Sequence, residues 1–251
     1  MSLSYKIETC NQIAKSPTGY KLMKFAPLIE KIATASNEAQ VRSCFMEYAG
    51  GLIEATAWGF DLLDNHFQVI ESDLWGLPET FCDRYQAVGR SVDLLSQKMI
   101  EQQIPIHNLS VQSLKDWHNS KLYQEVFRIF EIEHGMVAPL IGVGRLIGGI
   151  YFMRGKNLPA FNDYDLIRLS SLCQHLSVRL ATFRLVIAPS LINCLTLREL
   201  DVAELVAQGC SNREIALKLN ISRDAVKQIL KRMFQKLNVS ARAEMIAKLK
   251  I

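Results

Sequence analysis

Apolar and polar positions divide this chain into a longer section of mixed rhythm and a shorter one of purely helical rhythm. In the longer section apolar residues first recur at three and four, as Leu22, Phe25, Ile29 and Ile32, and then as Val41, Phe45, Tyr48 and Leu52. That spacing predicts two amphipathic helices, the second fraying at Gly50-Gly51. The runs AWGFDLL (57–63) and HFQVIES (66–72), separated by Asp64-Asn65, read as a β-hairpin. A polar helical region over 79–102 and a short extended IPIHNL (104–109) come next. Two longer strands follow, HGMVAPLI (134–141) and RLIGGIYFMR (145–154), joined at Gly142-Val143-Gly144. A long helix is then predicted from Asn162 to about Ile187. Helices before, between and after antiparallel strands give an α+β unit with one sheet.

The shorter section, 195–251, is all-α and is punctuated by N-cap signals. Thr196 has Glu199 three residues on, Ser211 has Glu214 three residues on, and Ser222 opens a basic run. Such boxes satisfy the free amides of a first helical turn, so each marks a helix start. Four helices are predicted: Leu197 to about Gln208, stopped by Gly209; Asn212 to Leu219; the run after Ser222 to about Leu237; and a last one capped by Ser240. In the third, Val226, Ile229, Leu230, Met233, Phe234 and Leu237 line one face. Arg223, Lys227, Gln228, Lys231, Arg232 and Gln235 line the other.

Charge falls along the same division. The chain of 251 residues carries 29 Lys or Arg against 25 Asp or Glu, a net +4. The segment 195–251 alone holds eleven basic and six acidic side chains, so the remainder is close to neutral. A localised basic face is what phosphate contact requires. No run of eighteen apolar residues and no apolar leader are present, and the six cysteines, at 10, 44, 82, 173, 194 and 210, form no CxxC pair. They predict a cytoplasmic protein, nucleoid-associated when on DNA, with reduced and mostly buried thiols. A redox pair between Cys194 and Cys210 is a minor alternative.

The C-terminal segment resembles the LuxR/FixJ helix-turn-helix family. The resemblance rests on Leu195, Thr196, Arg198, Glu199, Val202, Gly209, Ser211, Asn212, Glu214, Ile215, Ala216, Leu219, Ile221 and Ser222, and further on Val226, Lys227, Lys236, Leu237, Val239, Arg242 and Glu244. Three positions depart from it: Ala225 stands for a usual Thr, Ile229 for a common His and Arg232 for a common Asn. The resemblance implies double-stranded DNA as partner. It places Lys227, Gln228 and Lys231 toward base edges. Arg213 and Lys218 are assigned to phosphates, with Arg232 making good the lost Thr contact; Arg223, Ser211 and Asn212 complete the expected DNA-binding set.

The longer section resembles the GAF family of sensor modules, through VAPLIGVGRLIGGIYF (137–152) followed by Phe161, Asn162, Asp163, Asp165 and the long helix. The expected organisation is a tail (1–19), a GAF-like sensor (20–187), a linker (188–194) and the DNA-binding unit (195–251). Expected ligand-lining residues are Trp58, Phe60, Trp75, Tyr85, Trp117 and Tyr123, with His107, His118 and His134 as polar handles. A packed core needs the same aromatics, and that reading stands beside the ligand one. Acyl-homoserine-lactone receptors pair a related sensor with this helix-turn-helix and are the alternative. Their pockets use a Trp, a Tyr, an Asp followed by Pro, and a second Trp. Here Asp93 is followed by Leu94, Pro105 comes later, Asn108 falls at the second Trp, and the upstream Trp and Tyr fall at Thr80 and Arg84. A purely protein-binding N-terminal unit is the other alternative.

No metal-ligand spacing, nucleophile–base set or phosphate loop can be assembled, and Gly142-x-Gly144 lacks a third glycine. Neither an enzyme nor a phosphoacceptor domain is expected, and no cofactor. Leu166, Leu169, Cys173, Leu176, Leu180, Phe183 and Ile187 recur at alternating three and four, a seam suited either to a homodimer across the helix 162–187 or to the chain's own sheet. RNA polymerase joins the expected partners if the regulator is an activator.

Overall fold

The computed structural model describes residues 17–64, 67–142, 144–183 and 194–249. Helix α1 (Pro17–Thr34) and helix α2 (Glu38–Leu52) lead into strand β1 (Ala57–Leu63) and strand β2 (Val69–Trp75). Helix α3 (Glu79–Arg84), a π-helical turn (Tyr85–Gly89) and helix α4 (Leu94–Gln102) precede the short strand β3 (Ile106–His107). Three short helices follow, α5 (Asn108–Val111), α6 (Leu114–Asn119) and α7 (Lys121–Glu125), with a 3₁₀ turn at Phe127–Phe130. The long strands β4 (Ile132–Gly142) and β5 (Arg145–Gly155) and the long helix α8 (Asp163–Phe183) complete the unit. The C-terminal section holds α9 (Leu197–Ala207), α10 (Asn212–Lys218), α11 (Arg223–Leu237) and α12 (Arg242–Leu249).

The five strands form one antiparallel sheet in the order β2-β1-β5-β4-β3. Its alternating side chains feed two cores. On one face Phe60, Leu62, Met136, Ala138, Leu140, Ile150 and Phe152 pack on Leu28 and Ile32 of α1, Phe45 of α2, and Leu169, Leu172, Leu176 and Leu180 of α8. On the other, Ala57 and Met153 meet Phe81, Trp117, Leu122 and Phe127 of the helical segment 79–130. The expected α+β class holds. A buried ion pair fixes the start of α8: Arg154 Nη1 donates to Asp165 Oδ2 at 3.0 Å, and Arg154 Nε to the Glu54 carbonyl at 2.7 Å. Both side chains are nearly fully buried, so each charge depends on the other.

Several expectations need correction. Helix α2 runs through Gly50-Gly51 to Leu52 instead of fraying. The Trp58 ring occupies the space where a Cβ on Gly50 would stand, so that glycine serves close packing. Strand β2 begins at Val69, three residues later than predicted, and Asn65 of the predicted turn lies outside the described residues. Only Ile106–His107 of 104–109 is strand, because Asn108 opens a helix. Ser240 sits ahead of α12, where its amide donates to Glu244 Oε2 at 2.8 Å, and is not the cap itself. Among the described cysteines only Cys173 is buried; Cys44, Cys82 and Cys210 are half-buried and Cys194 is exposed. The predicted heptad seam faces inward: Leu169, Cys173, Leu176 and Leu180 are buried against the sheet, with Leu166 and Phe183 packed beside them. Over the described residues the seam is therefore spent mainly on the chain's own sheet. The predicted Ile187 and most of the predicted linker lie outside the described residues.

Candidate nucleic-acid interface and candidate ligand cavity

The C-terminal helices are positioned by their caps. Thr196 and Glu199 form a reciprocal capping box at α9, Ser211 and Glu214 another at α10, and Ser222 Oγ accepts from the Ala225 amide at 3.1 Å at α11. Asn220, between α10 and α11, and Asn238, after α11, take the left-handed conformation, as does Gly209 after α9. Beneath the helices Val202, Val206, Ile215, Val226, Met233, Leu237, Met245 and Leu249 close a separate core. Ile229, in place of the family's His, is buried there.

The opposite side of α11 presents Arg223, Lys227, Gln228, Lys231 and Arg232, all exposed. Arg213 and Lys218 are exposed on α10, and Arg213 and Arg223 flank one open notch between the two helices, floored by Ala216 and Ile221. Two residues of the predicted set also have structural work. Ser211 accepts from the Glu214 amide at 3.3 Å, and Asn212 Oδ1 accepts from Arg242 Nη1 at 3.2 Å.

A cavity of about 110 Å³ lies between the sheet and the helical segment 79–130. Asp61, Ser72, Val137 and Tyr151 reach it from the strands, and Phe81, Cys82, Tyr85, Arg90, Asp93, Ser96 and Phe127 from the cap. Asp93 Oδ2 accepts from Tyr85 Oη and from Ser96 Oγ, each at 2.6 Å, and Asp61 Oδ1 accepts from Ser72 Oγ at 2.6 Å. Burial raises the Asp61 carboxyl, with the Ser72 hydrogen bond and Arg90 acting against it. Burial, then Asp93, hold the Tyr85 phenol well above its ordinary value. Arg90 points its guanidinium to the Phe67 carbonyl at 2.9 Å.

Of the six predicted lining residues only Tyr85 reaches this cavity. Trp58 and Phe60 face the α1/α2/α8 core, and Trp58 Nε1 donates to the Met46 carbonyl at 3.1 Å. Trp75 is exposed on the edge strand and stacks on Trp58, ring centroids 4.0 Å apart. Trp117 is buried with Nε1 on the Glu133 carbonyl, and Tyr123 donates to Glu133 Oε2 at 2.8 Å. None of His107, His118 and His134 lines it; His118 instead pairs with Glu133. Neither Thr80 nor Arg84 is in the lining, whereas their neighbours Phe81 and Tyr85 are. The missed polar residues had one sequence signal: Asp61 interrupts an otherwise apolar strand, AWGFDLL. Among the described residues no group of three or more His, Cys, Asp or Glu has the geometry of a metal site. No described helix is long and apolar enough to cross a membrane.

Residues 193–249 match the family model described as bacterial regulatory proteins, luxR family. The C-terminal unit is thus a luxR-family helix-turn-helix. It is similar to the nitrate/nitrite response regulator protein NarP of Escherichia coli, 52% identical over 48 residues, which cover 19% of this chain and 22% of that protein. The chain spans less than a quarter of the length of the curated relatives it matches. Among solved structures it is similar to Escherichia coli SdiA, at 17% identity and TM-score 0.47 over 89% of this chain and 94% of that one. It is also similar to a GAF domain/HD domain protein from Geobacter sulfurreducens, at 15% identity and TM-score 0.46 over 61% of this chain and 97% of that one.

Proposed function

We propose that this chain is a sequence-specific DNA-binding transcription regulator, and that its N-terminal α+β unit holds a compact small molecule that tunes DNA binding. The observation that carries the reading is the two-sided character of α11. Its apolar face is buried in a luxR-family helix-turn-helix, and its basic face is left to solvent. Lys227, Gln228 and Lys231 are assigned to base edges, where Lys suits guanine and Gln suits adenine. Arg223, Arg232, Arg213 and Lys218 are assigned to phosphates, which set register without reading sequence.

The cavity supports the sensor half of the reading. Ligand sites are mostly apolar with a few placed polar groups, and here aromatic walls surround Asp61, Ser72, Asp93 and Ser96. Asp61 takes a hydrogen bond from the Ser72 hydroxyl and feels the Arg90 charge, and the ligand that fits such an acceptor is one with a hydrogen-bond donor. One contact offers a route to the DNA-binding unit: Arg145, at the start of β5, pairs with Glu204 of α9. A second copy of the chain is the proposed partner on DNA. It would use the outward face of α8, where Tyr164, Ile167 and Val178 are exposed. For an activator RNA polymerase joins the partners, and DNA binding would place the protein at the nucleoid.

The sensor reading is tested by a heat-shift screen of compact metabolites on the full chain and on Asp61→Asn. Ligands of the native state raise its melting temperature by mass action. The expected result is a compound that shifts the unaltered protein, shifts Asp61→Asn less, and changes DNA affinity. Compounds that bind both forms equally, or a screen without hits alongside capture of a partner protein from lysate, would contradict it.

A further inference from the structure

Helix α11 carries five basic residues and a single acid, Asp224, in its first turn. An α-helix advances by roughly 100° per residue. Measured from Val226 at the centre of the buried stripe, Lys227, Lys231, Asp224 and Gln228 then fall at roughly 100°, 140°, 160° and 200°. Asp224 therefore stands in the middle of the face that carries the three residues assigned to bases, and nearest the helix start. Its Oδ1 accepts from Lys227 Nζ at 3.0 Å, and both side chains are otherwise open to solvent, 83% and 63% exposed.

An acid at this place has a cost that needs an answer. A helix-turn-helix presents the N-terminal residues of its reading helix to base edges, between two phosphate rails. A carboxylate there is repelled by the backbone unless it finds donors. Capping is already provided by Ser222 Oγ, which takes the Ala225 amide at 3.1 Å. A favourable interaction with the helix dipole accounts for an acid in the first turn, but not for its position on the base-facing arc. In the major groove a carboxylate's matching donor is the cytosine N4 amino group, while a neighbouring Lys donates to guanine O6 or N7. The Lys227 ammonium also draws the Asp224 carboxyl below its ordinary value, ahead of Arg223, so it meets the groove as an acceptor.

We propose that Asp224 is a specificity-determining residue: its carboxylate selects cytosine at one position of each half-site and holds Lys227 beside it for an adjacent guanine. This rests on α11 reading DNA, and the test separates the two ideas. The full chain and its Asp224→Ala, Asp224→Asn and Lys231→Ala variants would each be taken through selection on a random duplex library, with thermal melts to confirm folding.

The expected result is a site with cytosine enriched at one position per half-site. Asp224→Ala flattens that position roughly ten- to hundredfold and leaves the others intact. Asp224→Asn turns it toward adenine, since Asn pairs bidentately with that base. Suppose instead that Lys231→Ala alters the selected site while both Asp224 variants return the unaltered preferences, with tighter binding to all DNA. Asp224 would then be only a charge on the surface, and the inference would fall while the DNA-reading assignment stood. A folded wild-type chain that enriches no site would overturn both.

Discussion

Glu199 shows how much one side chain can organise in the C-terminal unit. Its carboxylate, 3% exposed, accepts from Lys236 Nζ at 2.6 Å and from the Thr196 amide at 2.8 Å. It so ties the start of α9 to the end of α11. Burial alone would raise its pKa, but Lys236 and Thr196 outweigh burial and the net direction is down. A carboxyl lowered in the folded state adds stability above its unfolded pKa, and that stability is lost as pH falls through the folded value. Glu199→Gln should cost about 1–2 kcal/mol at pH 7, from the weakened cap and the lost charge-assisted bond. In melts repeated toward about pH 3.5, below the unfolded Glu value, the gap to wild type should narrow. A gap constant with pH would contradict the ionised pairing. Residues of this local kind were legible in sequence, because a capping box spans only four positions. Gly50 was not, because its partner Trp58 belongs to a different element and meets it only after folding.

At the scale of elements, spacing and burial part company on α8. Leu169, Cys173, Leu176 and Leu180 have the same three-four rhythm whether a helix faces a twin or its own sheet, and the structure puts them on the sheet. Ile167 and Val178, apolar residues of the same helix, are 64% and 70% exposed, while Leu172 is buried. The expectation follows that Leu176→Ala costs about 2–5 kcal/mol in urea unfolding, as a large-to-small core change does. Val178→Ala should change stability by less than about 0.5 kcal/mol yet weaken self-association in sedimentation. A stability loss at Val178 equal to that at Leu176 would contradict the assigned faces. The helix-turn-helix elements were legible almost to the residue, since their caps and turns are local. The helices over 114–125 were not, being too short to show a period.

At the scale of the molecule, a single sheet is covered on its two faces in different ways. One face is filled by α1, α2 and α8; the other closes over a cavity under 79–130. Sequence pattern was enough for the α+β class and for the all-α reading section, because both follow from periodicity. It was not enough for the cavity, whose lining joins strand residues such as Asp61 and Tyr151 to cap residues such as Tyr85 and Asp93. Aromatic type alone pointed to Trp58 and Trp117, which structure assigns to packing. Above the sheet's chemistry stands the proposed role of α11, which is to read DNA in a sequence-dependent way. Its most direct test is selection of genomic fragments by the purified full chain and by Lys231→Ala, followed by sequencing. The expected result is an enriched inverted repeat for the unaltered chain, with a weaker or altered motif for the variant. Fragments recovered from the folded wild-type chain in the same proportions as random DNA would contradict it.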